Sequence, residues 1–340
     1  MTPLKEIPSM IIHGNMNEKL PQISEVPLSA AHLPEMWHLW KTQYEEERSA
    51  IPAMPNTWSS CREGIESFLK KQIATEFAIV GQMDGDTIGY MLFEVFPFHG
   101  ETTAFCSVTG HAEKREYRRQ VFEKLYQALS EKLAVRGILN HVVTYFAHDE
   151  ILKETLFELG FGIIVIDAFR KPEPLPAYAS GVRIAQADLS QLDVVERLGT
   201  ESREFYLKAP LFLMKEKRSR DYYRGLLEEQ DSAILLAFSK DEPVGFMNIR
   251  KSQESDLMTL CDLNTGLIDP LGAFIRQAYR GHGIGKALLS KCIEWCEDHG
   301  ISQIHVDFES ANLLARSFWS RYFTVTMNSV RRALFEDVRV

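Results

Sequence analysis

The sequence predicts an α/β fold of the α+β kind, with two tandem units that each contain a mixed, largely antiparallel twisted sheet flanked by helices. Three observations lead to this prediction. The chain has 340 residues, of which 45% are hydrophobic and 25% charged, so it is globular and long enough for two ordinary domains. The same order of strand and helix patterns occurs twice along it. A proline-rich segment, residues 171–177, separates the copies and indicates a stiff linker.

The first unit begins after an amino-terminal extension, and the linker connects it to the second unit. The extension is predicted at residues 1–21 and the first unit at residues 22–170. The linker is predicted at residues 171–180 and the second unit at residues 181–340. Within the first unit, β-branched and aromatic runs predict strands, and apolar residues at helical spacing predict helices. The predicted strands are residues 23–28, 77–82, 87–96, 103–114 and 141–146. The predicted helices are residues 31–46, 61–71 and 118–135.

The second unit repeats this order. A strand at residues 182–187 precedes helical stretches that continue to Glu229. The next predicted elements are a hairpin, a long strand ending near Arg276, a helix and two further strands. The predicted strands of the hairpin and of the unit's end are residues 232–240, 244–251, 301–308 and 323–334. The helix that follows Arg276 has a continuous apolar face, which predicts burial of Ile284, Leu288, Cys292, Trp295 and Cys296.

A basic, glycine-rich turn joins the long strand to this helix. The turn reads Arg-Gly-His-Gly-Ile-Gly over residues 280–285. A Walker loop does not fit, because Arg280 stands five residues before Gly285 and Ala287 follows Lys286. A dinucleotide-binding fingerprint does not fit either, because Lys286 replaces its third glycine. The free N–H groups at the helix start, the helix dipole and the arginine still predict a pyrophosphate site.

The remaining pattern, Arg280-x-x-Gly283-x-Gly285, resembles the acyl-CoA loop of the Gcn5-related N-acetyltransferases, the GNAT superfamily. A second signature of that superfamily, Asn-x-x-Ala-x-x-aromatic-aromatic, matches the segment from Asn312 to Trp319. The resemblance covers nearly the whole chain as an architecture, but specific motifs occur only in the second unit. It implies acetyl-CoA as cosubstrate. The residues it implies for cofactor binding are Phe274, Ile275, Arg276, Arg280, Gly281, His282, Gly283, Ile284, Gly285, Lys286, Asn312, Ala315, Phe318 and Trp319.

The second signature departs from the family pattern at two positions. Trp319 stands where many members carry a tyrosine that protonates the departing thiolate, and Tyr322 replaces a glycine. An indole N–H can donate a hydrogen bond but cannot release a proton at neutral pH. A thiol with a pKa of about 8.5 leaves tolerably as thiolate, so the reaction does not require an acid. Asn312 has an alternative role as a helix N-cap.

The resemblance implies transfer of an acetyl group from acetyl-CoA to a primary amine of a small molecule or peptide. An ammonium group must lose a proton before it attacks, so a base is expected. The candidates are Asp269, on the long strand, and Asp307 and Glu309, at the end of the strand after the loop helix. A water-relayed proton is an alternative to any single base. A non-catalytic acyl-CoA sensor or scaffold is the alternative function, and Trp319 is a feature it predicts.

The first unit lacks the glycine loop. When Tyr117-Arg118 is placed on Tyr279-Arg280, Val121 and Glu123 stand in place of the two motif glycines. A side chain and a negative charge are therefore expected at the phosphate position, so the first unit is predicted to be a degenerate copy that binds no cofactor.

Composition excludes several other classes. A net charge of −9 and a pI near 5.7 disfavour a nucleic-acid binder. Five cysteines without a Cys-x-x-Cys pair fit a reducing cytoplasm, and the apolar surroundings of Cys292 and Cys296 favour buried small hydrophobes over metal ligands, so no metal is expected. No run reaches the roughly 20 apolar residues of a membrane span. A cytoplasmic protein without nucleic-acid or membrane partners is predicted, with its oligomeric state open.

Overall fold

The computed structural model of the protein describes residues 22–98, 100–176 and 181–334. The predicted extension, residues 1–21, and part of the predicted linker, residues 177–180, lie outside this range. In the described ranges, no helix combines the length and the apolar character needed to cross a membrane.

The first unit alternates strands and helices in the predicted order. Its elements are β1 (Ser24–Pro27), α1 (Leu33–Ala50), α2 (Arg62–Lys71), β2 (Ala78–Met83), β3 (Asp86–Leu92), β4 (Glu94–Phe98), β5 (Glu101–Cys106), β6 (His111–Glu113), α3 (Arg118–Val135), β7 (Asn140–Phe146), α4 (Glu150–Glu158) and β8 (Gly162–Arg170). The predicted helix over residues 118–135 coincides with α3.

The second unit follows the same order, with one continuous strand where the first unit has β3 and β4. Its elements are β9 (Arg183–Gln186), α5 (Leu192–Tyr206), α6 (Arg220–Glu228), β10 (Ser232–Ser239), β11 (Glu242–Lys251), β12 (Thr265–Leu267), β13 (Ala273–Ile275), α7 (Ile284–Asp298), β14 (Gln303–Glu309), α8 (Leu313–Tyr322) and β15 (Thr324–Ala333). The repeated α+β architecture predicted from the sequence is confirmed.

Each predicted long strand is broken, so the expectation of two continuous strands is wrong. In the first unit a turn at residues 107–110 separates β5 from β6. In the second unit, β12 and β13 are separated by residues 268–272. Pro270 has no N–H for a sheet ladder, and Gly272 has a left-handed backbone with φ of +66°. Asp269 therefore lies in this connection and not on a strand.

The strands form two sheets. The smaller sheet has the order β1-β2-β3-β6, and the larger has the order β4-β5-β7-β15-β8-β14-β12-β11-β10-β9, with β13 paired to β11. The pairs β12–β14 and β5–β7 are parallel, and the others are antiparallel. This arrangement agrees with the predicted mixed, largely antiparallel sheet.

The two units exchange their last strands within the larger sheet. Strand β8 of the first unit lies between β14 and β15, and strand β15 of the second unit lies between β7 and β8. In the β14–β8 pair, Asp307 stands directly opposite Asp167. Each unit therefore completes the sheet of the other. The division at residues 171–180 remains a prediction about domains, because the sheet is continuous across it.

The two faces of the second unit's sheet pack against different helices, and the side chains of β14 alternate between these faces. Helix α7 buries its apolar face, including Leu288, Cys292 and Cys296, in one hydrophobic cluster. The predicted burial of these cysteines is confirmed. On β14, Ile304, Val306 and Phe308 belong to that same cluster. Because side chains alternate along a strand, His305, Asp307 and Glu309 face the opposite side, on which α5 and α6 pack.

Candidate active site

The glycine loop gives α7 an open amino-terminal end. Gly283 is the N-cap residue and has φ of +75°, and Gly281 has φ of +81°. Residues other than glycine adopt this left-handed region at a cost. The loop therefore turns sharply, and the first N–H groups of α7 are left without intrahelical acceptors. Their partial positive charge favours an anion at this point.

Gly285 has a different role. A Cβ atom at this position would lie 2.9 Å from Cε2 of Phe318 on α8. Such a distance is shorter than real Cβ contacts, so the glycine permits close packing of α7 against the helix of the second signature. The two signatures of the sequence are thus in contact at this residue.

Arg280 is a positive charge near the start of α7. Its Nε donates a 2.8 Å hydrogen bond to the Ile275 carbonyl, and its guanidinium carbon lies 4.9 Å from the Phe205 ring centroid. In the described part of the chain, no carboxylate forms a salt bridge with it. Burial lowers the pKa of Arg280 from its usual value, but a guanidinium remains charged at any physiological pH. A half-buried cation of this kind fits a ligand anion.

A cleft of about 530 Å³ opens beside this loop. It is bounded by α5, β13, the loop, α7 and α8. The predicted cofactor residues that line it are Phe274, Ile275, Arg280, Gly281, Gly283, Ile284, Gly285, Lys286, Asn312, Ala315, Phe318 and Trp319. Arg276 and His282 are not part of the lining. The Arg276 guanidinium instead forms a bidentate pair with Glu201, at 2.8 and 2.7 Å, and contacts Glu242 at 3.0 Å.

The sheet splits at the cleft. Strand β12 pairs with β14, but β13 is hydrogen-bonded to β11 and not to β14. Phe274 stands opposite Phe246 on β11, and the Arg276 N–H donates to the Val244 carbonyl. By the alternation of an antiparallel ladder, the N–H groups of Ala273 and Ile275 point away from β11, toward the gap. The gap thus has backbone donors on one wall.

The second signature mainly provides structure. Oδ1 of Asn312 accepts a 3.1 Å hydrogen bond from the Ala315 N–H, so Asn312 is the N-cap of α8 while it also lines the cleft. Trp319 is 5% exposed and packs edge-on against Phe323, with ring centroids 5.3 Å apart. These contacts make Trp319 a packing residue.

Asp269 is held by an ion pair. Its Oδ2 lies 2.5 Å from Nη2 of Arg250, and it does not line the cleft. The ion pair therefore occupies the Asp269 carboxylate at a place outside the cleft. Glu309 is similarly occupied, since its Oε1 lies 3.5 Å from Nζ of Lys215.

Asp307 has the most unusual environment of the three candidate bases. Asp307 is an exposed residue and, like Asp269, is not part of the cleft lining, but surrounding protein atoms displace part of the carboxylate's hydration. This desolvation, followed by the nearby charge of Asp167, raises the pKa of Asp307 to about 6. Contributions from Asp269 and Glu309 raise it further, while His305 opposes them. A base with this pKa is suited to accept a proton near neutral pH.

Tyr206, at the end of α5, is a residue that the sequence reasoning missed. It lines the cleft and lies beside Asn312 and Glu309. Burial, and then the charges of Glu309 and Asp307, hold the Tyr206 pKa well above its usual range, so its hydroxyl stays protonated. Lys215 lies over its ring, with Nζ 3.6 Å from the centroid. No motif surrounds Tyr206, and only the helical position of α5 brings it to the cleft.

The first unit has a smaller cleft at the corresponding place, of about 310 Å³. It is bounded by α1 and the starts of α3 and α4, as the larger cleft is by α5, α7 and α8. Here Arg118, the counterpart of Arg280, forms a 2.8 Å salt bridge with Asp149, and both side chains are buried. Asp149 is the N-cap of α4, the position that Asn312 has on α8. The Asp149 carboxylate thus neutralises Arg118, whereas no carboxylate of the described ranges pairs with Arg280.

Contrary to the prediction from the sequence, Val121 and Glu123 do not fill the phosphate position of the first unit. Val121 is fully buried in the core of the first unit, and Glu123 pairs with Arg119 at 2.9 Å. Neither lines the first unit's cleft. The loop is missing because α3 already begins at Arg118, so the positions aligned with Gly283 and Gly285 are inside a helix. In the first unit, the longer α3 takes the place of the glycine loop, and the Arg118–Asp149 pair takes the place of an arginine–anion contact.

Part of the second unit is similar to a known protein family. Residues 195–323 match the family described as Acetyltransferase (GNAT). The match lies within the second unit and spans less than half of the chain. No protein of curated function matches the sequence.

Solved structures share the fold at low sequence identity. A GCN5-related N-acetyltransferase from Sphaerobacter thermophilus is 13% identical, with a TM-score of 0.56 over 95% of this chain and 99% of that one. A GCN5-related glucosamine N-acetyltransferase region of a fungal multi-domain GH3 β-N-acetylglucosaminidase is 12% identical, with a TM-score of 0.52 over 92% of this chain and 38% of that one. At these identities the likeness concerns the fold alone.

Proposed function

We propose that the protein is an N-acetyltransferase that transfers an acetyl group from acetyl-CoA to a primary amine of a small molecule or peptide. The observation that carries this proposal is the half-buried Arg280 at the glycine-rich start of α7, beside a cleft of about 530 Å³. Among the described residues, no carboxylate pairs with it. A cation, free helix N–H groups and a left-handed glycine turn together fit a pyrophosphate.

The split sheet fits the reacting end of the cosubstrate. Backbone N–H groups of Ala273 and Ile275 that face the gap are candidate donors to the oxyanion of a tetrahedral intermediate. Acceptor binding is assigned to the α5 side, where Tyr206, Asp307 and Glu309 gather. The negative charges of Asp307 and Glu309 favour a cationic amine.

Asp307 is the proposed base, directly or through a water molecule. It takes a proton from the acceptor ammonium, and the free amine then attacks the thioester carbonyl. The C–N bond forms, the C–S bond breaks and CoA leaves as a thiolate. The attached nitrogen loses its second proton as the amide forms. Because Trp319 cannot release a proton, this proton reaches the thiolate through water.

A binding protein without catalysis is the alternative function. Trp319 favours it, because this buried indole replaces the family's usual acid. Release of CoA from acetyl-CoA, measured with a panel of small amines and amino-terminal peptides, tests the two functions. Acetylated product, identified by mass spectrometry in proportion to CoA, is expected for the enzyme. Tight acetyl-CoA binding without amine-dependent CoA release would instead establish a sensor or scaffold.

A further inference from the structure

The strand exchange places a residue of the first unit beside the proposed base. Asp167 lies on β8, which the first unit inserts between β14 and β15. It stands directly opposite Asp307 in the β14–β8 pair. Residues opposite each other in an antiparallel pair point to the same face, with Cβ atoms roughly 5 Å apart. The two carboxyl groups are therefore neighbours on the α5 side of the sheet.

The surroundings hold Asp167 firmly in place. Its side chain is 6% exposed, and its Oδ1 lies 3.0 Å from Nε2 of His305, which is 5% exposed. The Phe169 ring packs on the His305 imidazole with centroids 4.9 Å apart. The hydroxyl of Thr326, on β15, donates to the Asp167 carbonyl at 3.1 Å. The His305 contact thus holds the Asp167 side chain, and the Thr326 bond holds its backbone.

We propose that Asp167 is a positioning residue of the second unit's active site, supplied by the first unit to set the charge environment of Asp307. The inference rests on the proposed function for its catalytic meaning. Directly opposed like charges disfavour the ionised form, so Asp167 makes Asp307 a stronger proton acceptor than an isolated aspartate. The first unit, which lacks the glycine loop, would then contribute to catalysis through one strand.

Other charged groups around Asp307 act on it as well. His305 and Glu309 lie on the same strand, Asp269 lies in the β12–β13 connection, and Tyr206 approaches from α5. Asp167 raises the pKa of Asp307 and His305 lowers it, with Asp167 having the larger effect. Removing Asp167 should therefore lower this pKa, and removing His305 should raise it. This opposition distinguishes an electrostatic role from a loss of packing.

Carbon-13 NMR of the aspartate carboxyl groups in the full-length protein, without substrate, tests the inference. The Asp307 signal is assigned with the Asp307→Asn variant. Asp167→Asn should lower the pKa of Asp307 by about one unit, as expected for loss of one charge near a partly solvated site. His305→Gln should raise it, and Asp167→Glu should restore part of the wild-type value.

Asp262→Asn is the matched control. Asp262 is also buried and hydrogen-bonded, to Thr57, Thr265 and Gln303, but it is not among the groups that act on Asp307. The Asp262→Asn substitution should destabilise the fold and leave the pKa of Asp307 unchanged. An unchanged pKa in Asp167→Asn, or equal shifts in both Asp→Asn variants, would overturn the inference. Because the titration needs no turnover, this outcome is separate from a failure of the acetyltransferase assay.

Discussion

At the scale of single residues, the three candidate bases differ in what surrounds them. Asp269 is paired with Arg250 and Glu309 with Lys215, whereas Asp307 faces another carboxylate in a partly desolvated position. Sequence reasoning identified all three and tested Asp269 first, but it could not show what surrounds each of them. The partners come from strands and loops distant in sequence, and only the folded register of β14 against β8 reveals them.

The first prediction concerns Asp307 and pH. Its pKa of about 6 means that the carboxylate is protonated and inactive as a base below that pH. For the wild type, kcat/KM should therefore rise with pH through a limb centred near 6 and then level, apart from ionisation of the amine itself. Steady-state rates measured from about pH 5 to about pH 8 give this pH dependence of kcat/KM.

The second prediction compares two carboxylates. Asp307→Asn should lower kcat by roughly 100-fold or more, the usual contribution of a general base, with little change in KM for acetyl-CoA. Asp269→Asn should have a smaller effect, because its carboxylate is already neutralised by Arg250. If Asp307→Asn kept the full rate and Asp269→Asn lost activity, Asp269 and not Asp307 would be the general base.

At the scale of elements, α7 and its loop were largely predictable, since their periodicity and glycine spacing are local properties. The broken long strand was not predicted, although Pro270 and Gly272 are visible in the sequence. The exchange of β8 and β15 has no local signal at all. Tyr206, Asp167 and His305 were missed for the same reason, because their roles depend on which elements pack together.

The third prediction tests the contact between α7 and α8. Gly285→Ala would place a Cβ 2.9 Å from the Phe318 ring, so the helices must move apart. The free energy of unfolding should fall by about 1–3 kcal/mol, as is usual for an overpacked core. Gly225→Ala, within α6, meets no atom within 4 Å and should instead stabilise the protein by about 0.5–1 kcal/mol.

Urea denaturation of both variants gives these values. Equal effects of the two substitutions would show that the α7–α8 contact is looser than the structure indicates.

At the scale of the whole molecule, the two units share a sheet, and this changes what a truncation would do. A fragment of residues 181–340 lacks β8, so β14 and β15 lose the strand that lies between them. Two unpaired strand edges in one sheet favour aggregation. The fragment would also lack Asp167.

The fourth prediction follows from this loss. The fragment should be insoluble or without measurable activity, as judged by size-exclusion chromatography and CoA release. Co-expression of residues 1–180 should restore soluble protein if strand exchange is the cause. A soluble, monomeric and fully active fragment would show that the second unit does not need the first.

The central claim is that one anion site, at the start of α7, binds acetyl-CoA. Calorimetric titration of the full-length protein with acetyl-CoA tests it most directly, with the variants Gly283→Asp and Gly300→Asp. Both substitutions add the same charge at a left-handed glycine of α7, but Gly300 lies at the opposite end of the helix. One equivalent should bind to the wild type and to Gly300→Asp. Gly283→Asp should bind at least about 100-fold more weakly, because a like charge would face the pyrophosphate. Two equivalents per chain, or unchanged affinity in Gly283→Asp, would contradict the claim.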